Sequence, residues 1–228
     1  MVKKVKAVQK TISSLAQYWL AYKKQMLLTL TMLLLSSGQV AYCASKTLLV
    51  LGDSLSAEYG LARGSGWVAL MEQRLVEKKI AIKVVNASIS GETSSGGKTR
   101  LPALLEKHKP HYLIIELGGN DALRGLALPS FQANLLSMIE MAQKKGAKVL
   151  LLGMQIPPNY GREYAQGFID SYSKVAKKSN ANLVPFLLKG IAEEPTMFQA
   201  DKIHPVAAAQ VKMLDNIWPQ LYTMVKSK

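Results

Sequence analysis

The chain has 228 residues, 29 of them Lys or Arg and 15 Asp or Glu, giving a net charge of +14 with 49% hydrophobic and 19% charged residues. A chain this apolar can bury enough surface to offset its ordering entropy, which excludes disorder, and the length suits one domain with an appendage or two small domains. A single Cys excludes an intramolecular disulfide framework and a Cys-based zinc site, and three His leave little for a His-rich metal centre.

Residues 1–43 carry Lys3, Lys4, Lys6, Lys10, Lys23 and Lys24 and no acid. The apolar run 26–35 follows, then small and polar residues through Cys43. A basic start, an apolar core and a small-residue exit form a signal peptide, with the best cleavage position after Cys43 and Ala41 at −3. The run is shorter than the roughly 20 residues of a membrane span. The competing readings are an uncleaved anchor and lipidation at Cys43, although Tyr42 stands where a lipidation motif wants a small residue. Export predicts a periplasmic or secreted protein. The remaining domain, 44–228, carries net +8 and no cysteine, so a Cys nucleophile is excluded. Of the +14, +6 thus belongs to the leader and +8 to the domain, and no basic-aromatic cluster or nucleic-acid motif accompanies the rest.

Beyond residue 45 the pattern alternates between strand and helix. The apolar run 46–52 reads as a buried strand. Apolar spacing at Trp67, Leu70, Met71 and Leu75 predicts a helix over 66–79. A strand over 80–88, a helix near 97–108, a strand over 111–117 and a helix near 129–145 follow. A strand over 147–153, a helix near 161–179, a strand over 181–186 and a helix near 205–226 complete the chain. Apolar strands separated by helices predict one α/β domain, a parallel sheet covered on both faces in a three-layer α/β/α sandwich with five central strands.

In open parallel sheets, ligands bind beyond the carboxyl ends of the strands. Five segments stand there: Gly52-Asp53-Ser54-Leu55-Ser56, the run 87–94, Gly118-Gly119-Asn120-Asp121, the run 154–161, and Asp201 with His204. Each alone has a plain reading as a turn, a loop or a helix cap. Together they supply a hydroxyl nucleophile, oxyanion donors, a base and an orienter for that base, all at one sheet edge. His108 and His111 precede the third strand and fall at the opposite edge, which leaves His204.

Gly52-Asp53-Ser54-Leu55, Gly91, Gly118-Gly119-Asn120-Asp121 and Asp201-x-x-His204 resemble the four blocks of the GDSL, or SGNH, hydrolases, in family order and over nearly all of 46–222. Longer matches at 51–57, 85–91, 117–121 and 156–161 resemble the secreted multifunctional thioesterase I, arylesterase and lysophospholipase branch. The resemblance implies an SGNH-hydrolase, flavodoxin-like fold without a cofactor. It implies Ser54 as nucleophile, His204 as general base and then acid, and Asp201 as the group that orients His204. The implied oxyanion donors are the N–H groups of Ser54 and Gly91 and the amide of Asn120. Glycine at 91 also suits a backbone that must approach a ligand with no Cβ in the way. Glu58 departs from the branch, which commonly has a small or neutral residue there, and its place near Ser54 raises a role in leaving-group preference.

Asp53 and Asp121 raise a divalent-cation alternative, set against capping of the following helices. Arg63, Lys98, Arg100 and Arg124 read either as solvated charges or as a substrate rim. An acyl pocket is expected from Leu123, Leu126, Met154, Ile156 and Pro157, with core packing as the competing reading, above all for Met154. A fatty acyl group suits such walls, since each buried CH₂ is worth about 0.8 kcal/mol. The expected function is a secreted esterase and thioesterase acting on acyl-CoA, aryl ester or lysophospholipid substrates. A carbohydrate O-acetylesterase and a non-catalytic lipid- or carbohydrate-binding module are the alternatives. The expected partners are the small acyl substrate and, transiently, membrane lipid, with no nucleic acid and a monomeric chain.

Overall fold

The first apolar run forms β1 (Lys46–Gly52), and its sequence dictates where it lies: Leu48, Leu49, Val50 and Leu51 are all fully buried. A strand with no alternation must be covered on both faces. The computed structural model describes residues 19–26 and 46–227. The chain divides into two units, Met1–Ala44 and Ser45–Lys228. In the first unit, residues 19–26 are helical, with Lys23 Nζ 3.7 Å from the centre of the Trp19 ring. Most of the apolar run, the cleavage position and Cys43 lie outside the described residues. Among the described residues no helix is long and apolar enough to cross a membrane.

In the second unit β1 is followed by α1 (Trp67–Glu77), β2 (Ile82–Asn86), α2 (Ser94–His108), β3 (Tyr112–Glu116) and α3 (Gly119–Leu123). Then come α4 (Leu128–Lys144), β4 (Lys148–Leu152), α5 (Arg162–Ser179), β5 (Asn182–Val184) and α6 (Ala207–Lys226). The five strands form one sheet in the order β2-β1-β3-β4-β5, and every pairing is parallel. α2 packs on α4 and α4 on α5, while α1 packs on α6, so the sheet lies between three helices and two. The expected three-layer architecture is the one observed. The larger helical layer includes Phe131, Phe168 and Tyr172, mutually in contact with ring centroids 5.2–5.4 Å apart.

Local chemistry explains where elements depart from the sequence reading. α2 starts at Ser94, three residues earlier than its apolar spacing indicates, because Thr93 caps it: its Oγ1 accepts the Gly96 N–H at 3.3 Å. β5 stops at Val184 because Pro185 has no N–H to continue the ladder. Gly118-Gly119-Asn120-Asp121, read as a loop, instead leads directly into the short α3. The chain moves from β1 outward to β2 and then back across to β3. The turns after β1 and β3 therefore stand side by side at the switch point, the usual ligand position in such sheets.

Candidate active site

Ser54 lies in the turn that ends β1. Its Oγ is 2.9 Å from His204 Nε2, and His204 Nδ1 is 2.7 Å from Asp201 Oδ2. The chain that presents Asp201 and His204 is a tight hairpin: Phe198 and Pro205 form an antiparallel bridge, and Gln199 N–H donates to the His204 carbonyl at 2.8 Å. Lys202 makes the turn with a φ of 59°. Asp201 Oδ1 accepts the N–H groups of Ile203 and His204 at 2.9 and 3.0 Å. It therefore organises its own turn, and α6 begins only at Ala207, so the helix-cap reading of this pair does not hold. Those backbone donors, with the His204 ring, lower the Asp201 carboxyl to about 2. An ionised Asp201 fixes Nδ1–H as the donor and leaves Nε2 to accept the Ser54 hydrogen.

The implied oxyanion donors converge less uniformly. Among the described residues neither the Ser54 N–H nor the Gly91 N–H has an acceptor, so both can meet a ligand. The segment leading to Gly91 is laid along the end of β1 by Ala87 N–H to Val50 O at 2.9 Å and Ile89 N–H to Gly52 O at 3.0 Å. Gly91 has a φ of +79°, and a Cβ there would meet no atom within 4 Å. The glycine is thus required by its left-handed backbone, and protein crowding plays no part. Asn120, in the first turn of α3, donates from Nδ2 to Asp53 Oδ2 at 3.1 Å and to Glu92 O at 3.0 Å. Both amide hydrogens are engaged, so donation to an acyl oxygen requires that one of these bonds be shared.

The carboxylates that raised a metal site are committed elsewhere. Asp53 Oδ1 accepts Leu55 N–H at 3.0 Å, while its Oδ2 holds Asn120. Asp121 takes Ser94 N–H at 2.8 Å and Ser94 Oγ–H at 2.5 Å, placing its charge at the N-terminus of α2. Among the described residues no three His, Cys, Asp or Glu side chains are grouped to hold a metal ion.

The basic residues divide. Arg100 ties down the segment before α2: its Nε meets Glu92 Oε2 at 2.6 Å and its Nη1 donates to Ala87 O at 3.1 Å. Arg124 Nη2 donates to Gly91 O at 3.2 Å, and Lys98 Nζ to Asn134 Oδ1 at 3.2 Å. Arg63 is exposed. Glu58 has a φ of 59° and turns its carboxylate onto Gly64 N–H at 3.0 Å and Gly66 N–H at 2.8 Å. It shapes the 58–66 loop, and that structural task accounts for the residue.

The expected acyl wall separates by burial. Leu123 and Leu126 are exposed on α3 and just beyond it, and Pro157 is exposed. Ile156 is half-buried against the core, and Met154 belongs to the core itself, which corrects its assignment to an open pocket wall.

Three residues of the site escaped the sequence reading. Tyr59, half exposed, packs on His204 with ring centroids 4.3 Å apart. Gln199 Nε2 holds the Tyr59 carbonyl at 2.9 Å. Glu116, fully buried at the end of β3, accepts Asp53 N–H at 3.2 Å and Ser56 Oγ–H at 2.7 Å on Oε2. Only Glu116 left a signal, as an acid inside an apolar strand.

The description of the GDSL-like lipase/acylhydrolase family matches residues 50–211. Esterase TesA of Pseudomonas aeruginosa is 54% identical over 178 residues, covering 78% of this chain and 89% of the relative. Thioesterase 1/protease 1/lysophospholipase L1 of Escherichia coli K12 is 41% identical over 182 residues, covering 80% and 86%. A crystal structure of TesA superposes with a TM-score of 0.77 at 53% identity, covering 78% of this chain and 99% of that one.

Proposed function

The chain belongs to the GDSL-like lipase/acylhydrolase family, and we propose that it is an exported enzyme hydrolysing fatty acyl esters and thioesters through an acyl-enzyme on Ser54. That it is a serine hydrolase of ester and thioester bonds follows from the family and from relatives named as esterase and thioesterase. The residue roles, the acyl class and export are the proposal.

His204 Nε2 takes the Ser54 proton as Oγ bonds to the acyl carbonyl carbon, and the carbonyl π electrons move onto oxygen. The resulting oxyanion meets the unengaged N–H groups of Ser54 and Gly91, joined by Asn120. Collapse restores the carbonyl and breaks the bond to the alcohol or thiol, which leaves with the proton from His204. Water then repeats the sequence: His204 takes its proton, its oxygen attacks the acyl carbon, and Ser54 leaves as the hydroxyl. Throughout, ionised Asp201 stabilises the imidazolium. The observation that carries this reading is the continuous Ser54–His204–Asp201 hydrogen-bond chain, 2.9 and 2.7 Å.

A long acyl group is favoured by the exposed apolar residues at the end of α3 and just beyond it, Leu123 and Leu126. Export is supported by the lysines and the apolar run of residues 1–43. The test is turnover of p-nitrophenyl esters and acyl-CoAs of rising acyl length by the full chain, Ser54→Ala and His204→Ala. Activity peaking at medium or long chains and lost in both variants supports the proposal. Retained turnover in both variants overturns it, as does a sharp optimum at acetyl, which indicates a carbohydrate O-acetylesterase. Intact mass of the protein recovered outside the cytoplasm tests cleavage after Cys43.

A further inference from the structure

The nucleophile turn is built around a carboxyl group that the reaction does not use. Gly52 on β1 is in parallel register with Glu116 on β3. A Cβ at Gly52 would stand 2.6 Å from Ser56 Oγ and 2.8 Å from Glu116 Oε2, so the glycine makes room for these two side chains. Glu116 is fully buried, and its Oε2 takes the Asp53 N–H and the Ser56 hydroxyl, one on each side of Ser54. Its other oxygen, Oε1, is buried without any partner. Beside it, Asp53 is also buried, and its carboxylate holds the Asn120 amide and Leu55 N–H.

Two neighbouring carboxylates cannot both be ionised in a dry site without strong repulsion, and each ion alone is costly to bury. One proton on the pair removes that repulsion, and the two acids divide it unequally, Glu116 being raised well above its ordinary value and Asp53 less so. Asp53 already has two N–H donors suited to a carboxylate. Glu116 has an empty oxygen suited to a proton. We propose that Glu116 is a positioning residue kept as the neutral acid, carrying the one proton of the pair, so that Asp53 stays ionised and holds Asn120 beside the nucleophile turn.

The other charged and titratable groups facing this pair come from two places, with a third acid behind one of them. Tyr172 projects from α5 and His204 precedes α6, while Asp121 on α3 faces Tyr172. Burial raises Glu116 well above its ordinary value and Asp53 to about 6, and the Tyr172 hydroxyl is raised as well. The Tyr172 hydroxyl therefore remains neutral and donates to the Leu117 carbonyl at 3.0 Å.

The inference rests on Ser54 and Asn120 having the roles proposed above, and Ser54→Ala tests that reading separately. The experiment compares Glu116→Gln and Glu116→Ala in the full chain. A glutamine amide reproduces the neutral acid, one donor and one acceptor, so Glu116→Gln is expected to keep kcat within about threefold with KM unchanged. Glu116→Ala is expected to lose kcat at least tenfold with little change in KM. A second readout is independent of activity. If the fold holds Glu116 protonated, unfolding above the ordinary carboxyl range releases a proton, so wild-type stability falls as pH rises from about 4.5 upward. Glu116→Gln lacks that loss, so its Tm advantage over wild type should widen with rising pH, whether or not the alanine variant folds. A Tm difference independent of pH, or a folded Glu116→Gln as impaired in kcat as the alanine variant, overturns the proposal.

Discussion

The ring of Tyr59 packs on the imidazole of His204, the centroids 4.3 Å apart and the planes 36° from parallel. The imidazole is therefore held on three sides, by Ser54 at Nε2, Asp201 at Nδ1 and an aromatic plate. The plate is itself fixed through its backbone by Gln199. An aromatic pair of this kind is worth about 0.5–1.5 kcal/mol, or roughly two- to tenfold in a rate that depends on ring placement. Tyr59→Ala is expected to lower kcat by about that factor, and Tyr59→Phe to retain it. Steady-state kinetics on one aryl ester decides this, and an unchanged kcat in Tyr59→Ala removes the ring from the machinery.

The Asp201 carboxyl, lowered to about 2, stays ionised across the whole range in which a serine hydrolase operates. Protonation of Asp201 should therefore contribute no step to the profile of kcat/KM against pH above about pH 4. An acid limb present in wild type and absent from the residual activity of Asp201→Asn contradicts this. Asp201→Asn removes the charge while keeping a short polar group, and should cost about three to four orders of magnitude in kcat. Asp201's effect on stability has the opposite sign to that of Glu116. A lowered carboxyl stabilises the fold above its ordinary range near 3.8, and that contribution is lost as pH falls toward about 2.

Gly91→Ala isolates backbone conformation from crowding. With φ at +79° and open space around a Cβ, the cost is strain of about 1–2 kcal/mol. Either the variant keeps the left-handed turn at reduced Tm, or the turn relaxes and the Gly91 N–H moves. A lower Tm with a fall in kcat is the expected pattern, measured by thermal unfolding alongside ester turnover. Wild-type values for both exclude a strained donor at this position.

Asn120→Ala removes a donor to the oxyanion and a partner of buried Asp53. Loss of one such donor costs about 2.7–4 kcal/mol of transition-state stabilisation, so kcat should drop about 10²- to 10³-fold with KM nearly unchanged. A loss confined to KM instead makes Asn120 a substrate-binding group.

Much of this protein was legible in one dimension because its signals are local. Apolar runs such as 46–52 and 147–153 are buried on both faces, so they specify strands without help from partners. The helix-spaced residues from Trp67 to Leu75 specify α1 in the same way. The rule that ligands gather beyond strand C-termini then placed Ser54, Gly91, Asn120 and His204 at one edge. The element boundaries were less legible, because caps set them: Thr93 starts α2 early, and Pro185 ends β5.

What remained hidden depends on pairs distant in sequence. The Tyr59 ring and His204 are joined only when the 58–66 loop meets the hairpin before α6. Glu58 looked like a substrate determinant until its carboxylate was found on the Gly64 and Gly66 amides. Of the two readings open for Met154, pocket wall and core, burial favours the core. Residue types and their order alone determined the strand–helix alternation, the sheet edge and the candidates Ser54, His204 and Asp201. Only the tertiary structure decided which carboxyls share a buried space, since desolvation and like-charge repulsion act through proximity. The register that sets Glu116 against Gly52, beneath Ser54, is a property of the folded sheet.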